Sequence, residues 1–129
     1  MGGGTEIGKV RGLGSSKHGG KHWIDQRVTA VGNLLLTIWF AISLLLLPNF
    51  EYATLSAWLS QMIVAVPLML MLICIFSHVR LGLQVLIEDY VHDEGLKFGA
   101  MIALNFYVIA TGAIGIFALA KIAFTGAIV

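Results

Sequence analysis

The chain has 129 residues, of which 58% are hydrophobic and 12% charged, with a formal net charge of +1. Soluble domains carry about one charged residue in four, so the length allows one domain while the composition excludes a water-soluble core and selects lipid as solvent. The near-zero charge excludes a nucleic-acid partner, and a single cysteine, Cys74, excludes an internal disulfide or a thiolate metal site and reads as a small packing residue.

Residues 1–27, MGGGTEIGKVRGLGSSKHGGKHWIDQR, are Gly-rich and basic. They hold neither the apolar stretch of a secretory signal nor the amphipathic pattern of an organellar import peptide. The expectation is a flexible segment at the cytoplasmic membrane surface, followed by a transmembrane anchor domain over residues 28–129. A spanning helix needs roughly 20 apolar residues, and three stretches qualify. The first is Val28 to Leu47, stopped by Pro48-Asn49. The second begins near Leu55 and meets no charge until Arg80; the third runs from about Phe98 to Ala120. Backbone groups in lipid must bond within their own segment, so the predicted fold is an all-α membrane protein with three transmembrane helices. Read as one helix from Leu55 to Tyr90, the second would be about 54 Å long and must leave the lipid at one end or tilt. Pro67 removes a backbone hydrogen bond from it and predicts a kink.

Lys9, Arg11, Lys17, Lys21 and Arg27 precede the first span, and Arg80 and Lys97 lie around the second connection, against Lys121 alone at the other side. The positive-inside bias therefore predicts a cytoplasmic N-terminus and a periplasmic C-terminus. Trp23 suits the inner interface; Phe50, Tyr52 and Trp58 suit the outer one.

His78 is ten residues before Glu88, or roughly 15 Å deeper in the bilayer. An ionisable side chain at that depth is costly and marks function. Two readings are open: a neutral imidazole bonded to a neighbouring helix, or an axial ligand to haem iron. Gly82, four residues on and on the same face, leaves room for a flat macrocycle, although a glycine here also suits close helix packing. Arg27 and Arg80 are candidate partners for haem propionates, or else an interfacial anchor and a snorkelling side chain. His18, His22 and His92 fall outside the spans, so a six-coordinate haem would need its second ligand from another polypeptide. Asp89 and Tyr90 sit near the water–lipid boundary, where a phenol can donate to a quinone carbonyl and Asp89, Glu88 and His92 could relay protons; an interfacial helix end would show the same residues.

The row His78-Val79-Arg80-Leu81-Gly82, with Glu88-Asp89-Tyr90-Val91-His92 after it, resembles the small membrane-anchor subunits of succinate dehydrogenase, respiratory complex II. That family has a glycine four residues after the histidine and Asp-Tyr eleven and twelve after it. Arg27-Val28-Thr29-Ala30 is similar to the family's Arg-x-Thr-Ala at the start of helix one, and the resemblance covers about Trp23 to Ala120. Arg80 departs from relatives that carry an aromatic residue there.

The resemblance implies a membrane anchor of a succinate:ubiquinone oxidoreductase in the bacterial inner membrane, in preference to the mitochondrial one. It implies that His78 ligates a b-type haem shared with a cytochrome b large anchor subunit, with Arg27 near a propionate. It also implies that Tyr90, beside Asp89, binds ubiquinone, and that an iron–sulfur subunit and a flavoprotein subunit complete the enzyme. Succinate chemistry itself would lie in those partners. The alternatives are a fumarate reductase anchor working with quinol, a small transporter or channel subunit using His78 and Arg80 as a polar relay, and a purely structural anchor.

Overall fold

The computed structural model describes residues 19–125, and among these every regular element is helical. Four helices follow one another: α1 over Gly19–Leu45, α2 over Tyr52–Leu59, α3 over Met62–Tyr90 and α4 over Glu94–Thr125. The 27 residues of α1, 29 of α3 and 32 of α4 correspond to rods of about 40, 44 and 48 Å. All three are long and apolar enough to cross a membrane. Each exceeds a hydrocarbon core of about 30 Å, so their ends project from it or the rods tilt.

α3 occupies the middle. It packs against α1 on one side and α4 on the other, while α1 and α4 do not approach each other. Small residues set the spacing, as expected where lipid removes the hydrophobic drive between helices. A Cβ added at Gly32 of α1 would stand 3.1 Å from Cys74 Sγ, and one at Gly115 of α4 would stand 3.3 Å from Leu72 Cδ1. Cys74 is thus the half-buried neighbour of a close helix crossing, its thiol free. Little else is buried. α1 has no buried residue at all, and large apolar side chains such as Leu34, Leu45 and Phe106 face outward, the pattern of rods whose outer surfaces meet lipid or other chains.

Two boundaries differ from expectation. α1 starts at Gly19, so residues 19–27, assigned to the surface segment, are helical; the rest of that segment lies outside the described residues. Nothing between Lys21 and Arg27 breaks a helix, and two of the glycines that suggested a loose tail, Gly19 and Gly20, fall at its first turn. The second boundary interrupts the expected long helix. Its outer end is the separate α2, closed by Ser60 N–H donating to the Ser56 carbonyl at 3.0 Å. Gln61 is extended (φ −72°, ψ 127°) and restarts the helix by accepting from Val64 and Ala65 N–H at 2.9 and 2.8 Å. α3 then runs through Pro67 without interruption, so the direction changes six residues earlier than the proline.

Trp58 anchors the short helix: it is 9% exposed and joins Val64, Leu68 and Leu119 in the one core cluster of the described residues, with Phe40 and Leu44 of α1 against it. Its ring lies 6.2 Å from that of Phe40 at 38°, a tilted aromatic pair. At the other end of the first span, Pro48 cannot prolong α1, and Leu47 N–H closes the last turn on the Leu44 carbonyl at 3.2 Å. Trp58→Ala should cost about 3 kcal/mol of stability, measured by denaturation in a bilayer mimic, and Trp58→Phe should recover most of it.

Candidate functional site

Polar side chains in a span must find partners on neighbouring helices, because lipid offers none. Here they gather at one level. His78 of α3 points at α1, where its Nδ1 lies 3.1 Å from Thr29 Oγ1 and its Nε2 lies 3.5 Å from Gln26 Nε2. The Thr29 hydroxyl is within reach of the Asp25 carbonyl at 2.9 Å and the Gln26 carbonyl at 3.1 Å, the back-bonding usual for a helical threonine. Its single proton goes to a carbonyl, so its lone pairs face the ring and accept from Nδ1–H. Nε2 is then the nitrogen that keeps its lone pair, and its one neighbour is at the outer limit of a hydrogen bond.

A groove of about 580 Å³ opens between α1 and α3 beside this pair, lined by His22, Trp23 and Gln26 from one helix and by Gly82, Val85 and Glu88 from the other. Gly82 leaves it open: a Cβ there would meet only Gln26 Nε2, at 3.7 Å. Two buried polar atoms on its wall, His22 Nε2 and Gln26 Oε1, have no hydrogen-bond partner among the described residues, and neither does Asn33 Oδ1 farther along α1. Such atoms are rare and call for an explanation. Arg27 is exposed; its guanidinium carbon stands 4.6 Å over the ring of Trp23, which ties it to the groove through that indole.

Arg80 leaves from the opposite side of α3. Its Nε donates to Asn105 Oδ1 of α4 at 2.6 Å, and Asn105 Nδ2 donates to the Met101 carbonyl at 2.7 Å. Arg80 lines a second groove, about 570 Å³, with Asp25, Thr29 and Ser77. His78 and Arg80 therefore serve different helices.

Asp89 and Tyr90 end α3. Tyr90 is 76% exposed, and neither side chain makes a hydrogen bond or ion pair among the described residues, whereas Glu88 accepts from Gln84 Nε2 at 2.8 Å. The turn after them is rigidly built. Asp93 Oδ1 accepts from Leu96 N–H at 2.7 Å and its carbonyl accepts from Lys97 N–H at 2.9 Å, which makes it the N-cap of α4. Lys97 Nζ also donates to the Glu88 carbonyl at 3.0 Å, clamping the two helix ends.

Among the residues picked from sequence, His78 and Gly82 meet beside the first groove, Arg27 lies next to it, and Asp89 and Tyr90 stand together at the helix end. Not singled out as site residues were His22 and Gln26, which precede Val28, and Thr29, which entered only within the Arg27-Val28-Thr29-Ala30 motif. His18 lies outside the described residues. The missed signal was a spacing: His22, Gln26, Thr29 and Asn33 recur at i, i+4, i+7 and i+11, a polar stripe on one helix face that appears only when the helix is begun before Val28.

A helical membrane protein with three candidate spans, a histidine held between two of them and a groove beside that pair is the class these features define. Residues 1–112 match the succinate dehydrogenase/fumarate reductase transmembrane subunit family, and the chain belongs to it. It is 34% identical over 107 residues to the succinate dehydrogenase hydrophobic membrane anchor subunit of Rickettsia bellii, covering 83% of this chain and 86% of that one. The protein of the same name from Rickettsia conorii is 31% identical with the same coverage, and that from Rickettsia prowazekii is 28% identical over 83% of this chain and 86% of its own. No solved structure matches the chain.

Asp93→Ala should remove the α4 cap at a cost of about 1 kcal/mol, while Asp93→Asn, which keeps the acceptor, should cost a few tenths; thermal denaturation of both variants checks this.

Proposed function

We propose that the chain is the membrane-anchor subunit of a succinate:ubiquinone oxidoreductase of the bacterial inner membrane. Its N-terminus is cytoplasmic and its C-terminus periplasmic, and it contributes one axial ligand to a haem b and part of a quinone-reduction site. The observation that carries this reading is the state of His78: Nδ1 is engaged by the Thr29 hydroxyl, and Nε2 keeps its lone pair toward Gln26, whose side chain lines the groove that Gly82 leaves open. The family and the names of its relatives supply the enzyme.

The residues present fit a haem. Neutral imidazole with one nitrogen hydrogen-bonded and the other free is the ligand form. The groove at Gly82 has about 580 Å³, and the unpartnered Gln26 Oε1 and His22 Nε2 on its wall are polar atoms awaiting something from outside the chain. His78 would hold the iron, Gly82 would admit the macrocycle and Arg27 would offer its exposed guanidinium to a propionate. Bound there, a haem supplies one-electron transfer. The second axial ligand is assigned to the cytochrome b large subunit, because no other histidine of this chain shares the level of His78. The iron–sulfur and flavoprotein subunits dock on the cytoplasmic side.

Tyr90 is assigned to the quinone. Its phenol, exposed and unbonded at the end of α3, donates to a quinone carbonyl. Asp89 beside it, with Glu88 and His92 within the same turn and connection, hands on the two protons that reduction of a quinone to a quinol consumes. Succinate oxidation takes place in the partner subunits. A transporter built on a His78–Arg80 relay is disfavoured, because His78 bonds to α1 and Arg80 to α4. A fumarate reductase anchor differs in the direction of flux, which is set by the potentials of centres in other subunits; the relatives' names favour the succinate direction.

His78→Ala in the assembled complex should remove the haem absorption bands; a variant with full haem content would defeat the ligand assignment. Tyr90→Phe should lower quinone reduction at least tenfold while succinate-dependent reduction of an artificial acceptor stays within twofold. Wild-type quinone turnover would take Tyr90 out of the site.

A further inference from the structure

We propose that Thr29 is a positioning residue: its hydroxyl fixes which nitrogen of His78 carries the lone pair and the plane in which the ring is held. This rests on the reading of His78 as an axial ligand. The first premise is a proton count. A threonine hydroxyl has one donor and two acceptor positions. The shortest contact of Thr29 Oγ1 is the Asp25 carbonyl, at 2.9 Å, which can only accept, so the hydroxyl proton is committed there and Oγ1 accepts from Nδ1–H of His78 at 3.1 Å. The opposite tautomer would put two lone pairs face to face unless the hydroxyl gave up the carbonyl.

The second premise is stiffness. Thr29 is β-branched, its hydroxyl is held within its own helix by the carbonyls of Asp25 and Gln26, and it projects from α1 while His78 projects from α3. The acceptor is therefore part of one rod and the ring part of another, and the bond sets the ring plane at a helix–helix contact. Partners at the far nitrogen of a ligating histidine orient it and raise its basicity, with effects of 10–100-fold on metal affinity. Removing the acceptor weakens donation to the metal and favours the reduced state.

The test uses the complete enzyme with Thr29→Val and Thr29→Ser, reading haem content, haem midpoint potential and the low-spin electron paramagnetic resonance g-values, which report the ring plane. Thr29→Val should lower haem affinity about tenfold, raise the midpoint potential by up to about 59 mV, which is a tenfold change for one electron, and shift the g-values. Thr29→Ser, which keeps the oxygen, should restore all three. Should the valine variant fail to assemble, Thr29→Ala carries the same readouts. Unchanged potential and g-values in a variant lacking the hydroxyl overturn the inference, as does a serine variant that behaves like valine. His78→Ala, run in parallel, separates the two levels: haem retained there overturns the ligand reading itself, whereas haem lost there with an unaltered Thr29→Val leaves that reading standing and removes only Thr29.

Discussion

Hydrocarbon cannot hydrogen-bond, and that single property decides how this chain is put together. The backbone is satisfied inside each rod, so the helices need one another only for their polar side chains and for packing. Both needs are met on α3. On one side His78 bonds to Thr29 of α1; on the other, Arg80 bonds to Asn105 of α4. The two residues are separated by one position, so the outer helices are tied to the middle one at a single level by contacts of opposite aim. Elsewhere the helices meet through small residues, at Gly32 against Cys74 and Gly115 against Leu72. The core under Trp58 closes one end and the Lys97–Glu88 clamp closes the other.

That arrangement separates the two proposed reaction sites by a fixed length of helix. From His78 to Tyr90 is twelve residues of uninterrupted α3, a rise of about 18 Å. One lies between helices and the other at a helix end that is braced by a capped turn. Each belongs to the interior of an assembly more than to the chain alone: the groove at Gly82 has polar atoms with no partner, and the Asp89–Tyr90 pair faces outward with none.

Much of this was legible in the residues. Three spans follow from runs of apolar residues longer than a bilayer is thick, and Pro48 marks where the first stops. That His78 and Gly82 share one face of α3 follows from helical geometry. What escaped was the start of α1 and the interruption at Ser60-Gln61. Composition made 1–27 look like one loose segment, yet glycine count does not say where a helix begins, and Gly19-Gly20 turned out to open one. With the start misplaced, His22 and Gln26 were cut from the stripe that Thr29 and Asn33 continue, and its periodicity went unread. The break before α3 has no local punctuation at all: it is neither at Pro67 nor at a glycine, and the residue beside it, Trp58, is held by packing from α1, α3 and α4. Periodicity reads rods well and reads such breaks poorly.

The absence of any buried residue on α1 bears on how such a protein would be made. α1 is held by a stripe of amide, hydroxyl and imidazole groups facing α3, by Gly32 against Cys74, and by Phe40 and Leu44 against the cluster that holds Trp58 of α2, with most of its surface left outward. Until α3 packs on it, that stripe has no partner outside its own helix, so α1 and α3 are expected to be stable in lipid as a pair.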